Sequence, residues 1–193
     1  MSIPQEPKPA KLVIGFFLNQ KDLIEELAAE LASQFGSIDI ISPWMPFEYT
    51  SYYEKEMGAP LFRRVLAFQK LIQQYDLAKI KLATNQIEQK YSQNGERSVN
   101  IDPGYLLQER FVLASGKNYS HRIYLTDGIY ADLTLVYHGG SFKELPWTYP
   151  DYADRPMLTI LERVRAKYIL DIDIPDKTGP GPDNPLLSKD NIQ

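Results

Sequence analysis

The segment Lys11–Leu18 (KLVIGFFL) constrains this chain most. It is a nearly unbroken apolar run, rich in β-formers, and only eight residues long. A run of that length with no polar alternation reads as a strand covered on both faces, so it marks the centre of a sheet. The residues that follow turn the chain out of that strand. Asn19 is a residue type suited to cap a helix and Asp22 suits its first turn. Leu23, Ile24, Leu27, Ala28, Leu31 and Phe35 then recur at helical spacing until Gly36, which is placed to end the helix. A buried strand followed by an amphipathic helix requires more sheet on either side.

Ser37–Ile41 is expected as a second strand. Pro43–Pro60 holds three prolines and five aromatics and reads as an ordered loop, a length that is uncommon without a function. Residues 61–68 read as a third strand. A second helix is expected over about 76–92, with Leu77, Ile80, Ile87 and Tyr91 on its buried side and Asn94–Gly95 as the turn after it. Ser98–Ile101 reads as a fourth strand and Asp102–Pro103–Gly104 as a turn. Tyr105–Ala114 fits either helix or strand, and the expectation is helix. His121–Leu125 and Ile129–His138 form a hairpin about Asp127–Gly128, with one more strand near Phe142–Leu145. Asp154 is expected to cap a last helix from Pro156 to about Leu170.

The resulting fold class is α+β. The first six elements follow β-α-β-β-α-β, the ferredoxin-like split β-α-β plan, extended by an antiparallel meander and a C-terminal helix. Residues 1–10 are expected as a flexible arm, 11–170 as a single α+β domain, and 171–193 as a disordered tail rich in Pro, Gly, Asp and Asn.

Composition narrows the chemistry. The sequence holds no Cys, which removes disulfides, thiolate zinc sites and cysteine nucleophiles. Its net charge is −4 and Arg63–Arg64 and Lys79–Lys81 are pairs rather than patches, so no general nucleic-acid binding is expected. No segment is long and apolar enough for a leader or a membrane span, and a cytoplasmic location is expected. There is no G-x-G-x-x-G and no P-loop: before Gly116–Lys117 the first glycine position holds Phe111, and Asn118 stands at the Ser/Thr position. Asn19–Gln20–Lys21–Asp22 reads as a helix cap rather than a base-specificity motif. No metal site is assigned, and no cofactor is identified.

A candidate site is assembled from scattered polar and aromatic residues. Asn100 and Asp102 alternate with Val99 and Ile101, so their side chains share one face of a strand end. The competing reading makes Asp102 an Asx-turn residue. Lys81, Asn85 and Glu88 form a line along the second helix, either a solvated face or one wall of a polar cleft. His121 is the natural proton-transfer group, Asp102 its orienting partner, and Arg122 a contact for an anion. His121 and His138 are expected at one end of their hairpin. Asn100, Tyr105 and Arg122 would bind ligand under a roof of Trp147 and Tyr149. The clusters Pro43–Phe47, with Tyr49, Tyr52 and Tyr53, and Pro146–Tyr152 would form a ligand slot or a protein contact, which leaves a homo-oligomer open, or equally lids that close an edge of the core. The expected function is binding of a small anionic, nucleotide-like ligand; the alternative is a non-catalytic interaction module using the aromatic–proline loops.

These segments together resemble a known family. The resemblance runs through Pro7–Leu12, Tyr52–Gly58 (YYEKEMG), Val99–Leu106, Ser120–Leu125 (SHRIYL), Asp127–Ala131 and Leu145–Tyr152. The sequence is identified as a member of the prokaryotic domain-of-unknown-function 4416 family. The resemblance implies one cytoplasmic domain and brings no activity with it. Similar proteins at times carry a GTP-binding label, which the missing P-loop does not support.

Overall fold

The computed structural model describes residues 1–172; the rest of the expected tail, 173–193, lies outside the described residues. The expected central strand is β1 (Ala10–Leu18), buried along its whole length. After a 3-10 turn at Lys21–Leu23 comes α1 (Ile24–Phe35), then β2 (Ile38–Ile41) and the two-residue strand β3 (Met45–Pro46). A short helix α2 (Glu54–Met57) precedes β4 (Phe62–Ile72), and α3 (Leu77–Lys90) follows it. The hairpin β5 (Ser92–Gln93) and β6 (Glu96–Arg97) turns at Asn94–Gly95, both with positive φ, and forms its own small sheet. Then come β7 (Val99–Leu106), β8 (Arg110–Ser115), β9 (Arg122–Thr126), β10 (Ile129–His138), β11 (Ser141–Glu144), α4 (Pro150–Ala153) and α5 (Arg155–Ile172).

Nine strands form one antiparallel sheet in the order β11-β10-β8-β7-β1-β4-β2, with β3 added to β4 and β9 to β10. The fold is α+β, as expected. The sheet has helices on both faces because successive residues of its central strands point to opposite sides. Leu12, Ile14, Phe16 and Leu18 meet Leu27 and Leu31 of α1 and Ile80 and Ile87 of α3. Val13, Val65 and Ala67 lie in the second core, which contains Met157, Leu161, Val164 and Tyr168 of α5. Burying a side chain of this kind contributes roughly 1.5–3 kcal/mol.

Several expectations are corrected. Tyr105–Ala114 is not a helix: β7 runs on to Leu106, and Leu107 N–H donates to Arg110 O to close a turn into β8. Leu106, Leu107, Phe111, Val112, Leu113 and Ala114 are all buried, so no polar alternation marks these strands. Asp102–Pro103–Gly104 is not a turn but the middle of β7. Asn19 does not cap α1; its Nδ2 donates to Met57 O, tying β1's end to α2. Nor do the two histidines share an end. Asp132 pairs with Arg122, which sets His121 near the middle of β10, while His138 pairs with Ser141.

One feature of the sheet opens a site. β7 pairs with β1 from Val99 to Leu106, yet with β8 only from Gly104 to Leu106. Pro103 has no N–H to give a neighbouring strand, and the β7–β8 ladder stops beside it. Beyond that point β7 stays with β1, and Ala114 and Ser115 of β8 stay with β10. The sheet forks between Asn100–Asp102 and Ala114–Lys117.

Candidate functional site

A cavity of about 750 Å³ lies in this fork. Its aromatic wall comes from Phe17 of β1, the segment Phe47–Tyr53, and Tyr149 and Tyr152 around α4. Phe17 and Phe47 stack at 4.4 Å between ring centroids, and Tyr53 sets its ring against Phe17 at 4.7 Å. This packing fixes the wall from the sheet side. On the other side Tyr49 Oη donates to Asp154. Burial and the Asp154 hydrogen bond push the Tyr49 hydroxyl up to about 12. Tyr53 is also pushed up to about 12, first by burial and then by the charge of Asp102. Both hydroxyls are therefore neutral donors at physiological pH.

Opposite the aromatics lies a hydrogen-bonded polar floor. Lys81, Asn85 and Glu88 of α3 line the cavity together, so their line along the helix is a wall of the site. Arg97 binds Glu56 through two nitrogens, at 2.5 and 2.9 Å. Its Nη1 reaches Glu88 at 3.2 Å and Asn100 Oδ1 at 3.0 Å. The Glu56 hydrogen bond raises the Arg97 pKa, and the hydrogen bond from Arg97 lowers that of Glu56. Asn100 passes the line on, its Nδ2 donating to Asp102 Oδ2 at 2.9 Å. Glu88 also accepts from Ile101 N at 2.6 Å, and Lys81 Nζ donates to Ile101 O at 2.7 Å. Burial pushes the Glu88 carboxyl up against the pull of Lys81. Asp102 is half-buried and Asn100 is its hydrogen-bond donor among the described residues, so Oδ1 has no protein donor there.

The third side belongs to Arg122, whose side chain is 4% exposed. Nε donates to Asp132 at 2.8 Å, Nη1 to Ser115 Oγ and Lys117 O, both at 2.9 Å, and Nη2 to Tyr149 Oη at 3.0 Å. Burial opposes its charge, but the bonds to Asp132 and Tyr149 outweigh that, and its pKa is raised.

Behind the aromatic wall sits Arg63 of β4, a buried cation ion-paired to Asp151. Its guanidinium lies 4.3 Å from the Tyr152 ring centroid. Arg63 Nε and Nη2 and Tyr152 Oη are buried without hydrogen-bond partners among the described residues. All three face Gly15, where a Cβ would stand 3.0 Å from Tyr152 Oη and 3.1 Å from Arg63 Nη2. Only glycine leaves that space free.

Four of the seven residues assembled from sequence line the cavity: Asn100, Asp102, Arg122 and Tyr149. Tyr105 is buried in the core with Leu106 and Leu107. His121 stacks flat on Trp147 at 5.0 Å, and its Nε2 lies 3.3 Å from Asp132 Oδ2. Those two rings form an outer layer and touch the cavity lining through Asp132. Sequence reasoning missed Arg97, Glu56 and Ser115, which no local spacing links to Asp102. It also missed Arg63. No group of three or more His, Asp or Glu suited to a metal ion occurs among the described residues. Nor is any helix among them long and apolar enough to cross a membrane.

The family model for a domain of unknown function, DUF4416, matches residues 8–168. The chain belongs to that family. Neither the curated proteins nor the solved structures include one that matches it.

Proposed function

We propose that the cavity binds a small anionic ligand of nucleotide-like build: a planar ring, a hydroxyl-bearing middle and an anionic end. The observation that carries this reading is the meeting, in one cavity of about 750 Å³, of an aromatic wall with a carboxylate oxygen, Asp102 Oδ1, and an ammonium, that of Lys117, which have no hydrogen-bond or ion-pair partner among the described residues. That volume lies within the roughly 300–1,000 Å³ usual for small-ligand sites. A base stacked on Tyr or Phe gains about 1–3 kcal/mol. Asp102 Oδ1 accepts from ligand hydroxyls, with Asn100 fixing its carboxylate. Lys117 has no carboxylate partner among the described residues and gives the anionic end a counter-charge. In this reading Asp102 is the group placed to exchange a proton with the ligand, and His121 acts on Asp132.

The test is a thermal-shift panel of nucleosides, nucleotides and sugar phosphates. A ligand at one hundred times its Kd adds about 2.7 kcal/mol, which for this size of chain raises Tm by roughly 5–10 °C. A flat panel refutes the reading.

We also read the core as ferredoxin-like. Support comes from the antiparallel order β7-β1-β4-β2, in which β1–α1–β2 straddles β4, and β4–α3–β7 straddles β1. A second functional reading, homo-oligomerisation, rests on β9. Ile123, Tyr124 and Leu125 are exposed on an edge strand, whereas the opposite edge strand, β2, carries Asp39. A sedimentation mass of one chain would reject it.

A further inference from the structure

We propose that Ser115, Tyr149 and Lys117 form a phosphoryl-binding subsite organised by Arg122. This rests on the ligand-binding reading above and names where the ligand's anionic end goes.

Hydrogen-bond accounting carries the argument. A serine hydroxyl has two lone pairs and one proton. Ser115 Oγ accepts from Arg122 Nη1 at 2.9 Å and from Lys117 N at 3.1 Å. Both lone pairs are engaged, so its proton is what it can offer. Tyr149 Oη accepts from Arg122 Nη2 at 3.0 Å, and its proton has no acceptor among the described residues. Both residues line the cavity. A hydroxyl that accepts from a guanidinium is polarised into a stronger donor. The Arg122 charge is thus delivered through two oriented O–H groups, while the guanidinium itself stays bonded to Asp132, Ser115, Lys117 O and Tyr149.

The third donor is the Lys117 ammonium. Lys117 is exposed, and its Nζ lies 5.4 Å from the Tyr52 ring centroid across the cavity mouth. These donors come from the end of β8, the loop after it and the start of α4. Three donors, two from the end of β8 and its following loop and one from the start of α4, suit the three terminal oxygens of a phosphoryl group better than the two coplanar oxygens of a carboxylate, which match a single fork. Arg122 is a positioning residue here; it reaches the ligand through the two hydroxyls.

The experiment is calorimetric titration of the full chain with adenosine, guanosine, cytidine and uridine, each beside its 5′-monophosphate, and with inorganic phosphate and acetate. The wild type is expected to prefer a monophosphate over its nucleoside by about tenfold or more, equivalent to ~1.4 kcal/mol. Ser115→Ala and Tyr149→Phe should each cut that preference severalfold. Arg122→Lys keeps the charge beside Asp132 but cannot hold both hydroxyls, so it should lose the preference as well. Equal affinity for nucleoside and monophosphate overturns the subsite while the cavity reading stands. Phosphate binding that disappears in the Ser115→Ala/Tyr149→Phe double variant, with no nucleoside or nucleotide bound, supports the subsite and rejects the nucleotide-like ligand. Acetate binding as tightly as phosphate overturns the phosphoryl assignment, and so does a preference unchanged in the double variant.

Discussion

Replacing Gly104 with alanine tests whether the sheet has the geometry that creates the fork. Gly104 is the last residue of β7 paired with β8 before Pro103, and it sits opposite Leu113. A Cβ there would lie 2.6 Å from Val112 O, 3.0 Å from Leu113 Cδ2 and 3.1 Å from Phe111 Cζ. The first of these atoms is backbone. It belongs to a residue paired with Tyr105, so it cannot swing aside without disturbing the ladder. Overpacking of this kind costs about 1–3 kcal/mol, and a fixed carbonyl puts the cost near the upper end. The unfolded chain loses entropy on gaining a methyl group, which returns about 0.4–1 kcal/mol. The net loss is about 2 kcal/mol, or a Tm lower by roughly 4–8 °C. Gly116→Ala is the control. It lies three residues beyond Leu113, at the cavity's edge, and nothing stands within 4 Å of its added Cβ. That variant should keep or slightly raise the Tm. Differential scanning calorimetry of both variants decides the matter. A Gly104→Ala protein melting within about 1 °C of the wild type, or a Gly116→Ala protein just as damaged, would show that β7 and β8 do not approach each other as described.

Three further outcomes follow from the same structure. Asp102→Asn keeps an acceptor for Asn100, so thermal stability should change by less than about 0.5 kcal/mol; nucleotide binding should fall at least tenfold by calorimetry. His121→Ala should alter the fluorescence of Trp147, on which the imidazole stacks, and leave nucleotide affinity within about twofold, since His121 is outside the cavity lining. Acid stability should depend on Asp171. Burial raises its carboxyl pKa, but hydrogen bonds from Lys11 and Lys167 outweigh this and hold it below its ordinary 3.8. Folded Asp171 therefore binds fewer protons than unfolded Asp171 between the two values. The stability it provides is complete above the ordinary value and is lost as pH falls through the folded one. Asp171→Asn should destabilise the protein at pH 7 by about 1–3 kcal/mol, because Lys11 is fully buried and keeps Asp39 alone. It should also flatten the acid limb of a Tm-against-pH curve; an unchanged limb would refute the role.

What could be read from the sequence was set by where periodicity survives. α1 and α3 each pack one face on the sheet, so Leu27, Leu31, Ile80 and Ile87 keep a helical spacing that was plain beforehand. β7 and β8 are covered on both faces, so their apolar residues carry no period, and Tyr105–Ala114 reads as a helix until the sheet is seen. Asp102–Pro103–Gly104 has the composition of a turn, yet β1 pairs with it in full register from Gly15 to Val13. The site divides in the same way. Asn100 and Asp102 were grouped because a strand puts alternate side chains on one face, and their hydrogen bond follows from that. Arg97 is 41 residues from Glu56, a partnership that exists only once the sheet is assembled. Arg63 gives no signal because β4 carries an arginine on each face, at 63 and 64, opposite the buried Phe17 and Phe16, and only the assembled packing shows that Arg63 is the buried one.

The placement of the cavity follows from these same constraints. A sheet of nine strands that stayed paired along its whole width would present side chains to two helical layers and leave no room between strands. The fork beside Pro103 removes one stretch of ladder, and the freed edges of β7 and β8 must then be satisfied by other groups. On the β7 side the Ile101 carbonyl receives Lys81 and the Ile101 N–H gives to Glu88. On the β8 side the Ser115 hydroxyl and, just past the strand, the Lys117 carbonyl receive Arg122. The charged side chains that replace the lost ladder therefore surround the gap itself. They are tied to backbone and to one another, which is why so many charges can sit there together. Among the described residues, Asp102 Oδ1 and the Lys117 ammonium are the charged lining groups that this bracing leaves without a partner, one on each side of the fork. Loss of a few strand hydrogen bonds thus both opens the cavity and decides which of its charges can meet a ligand.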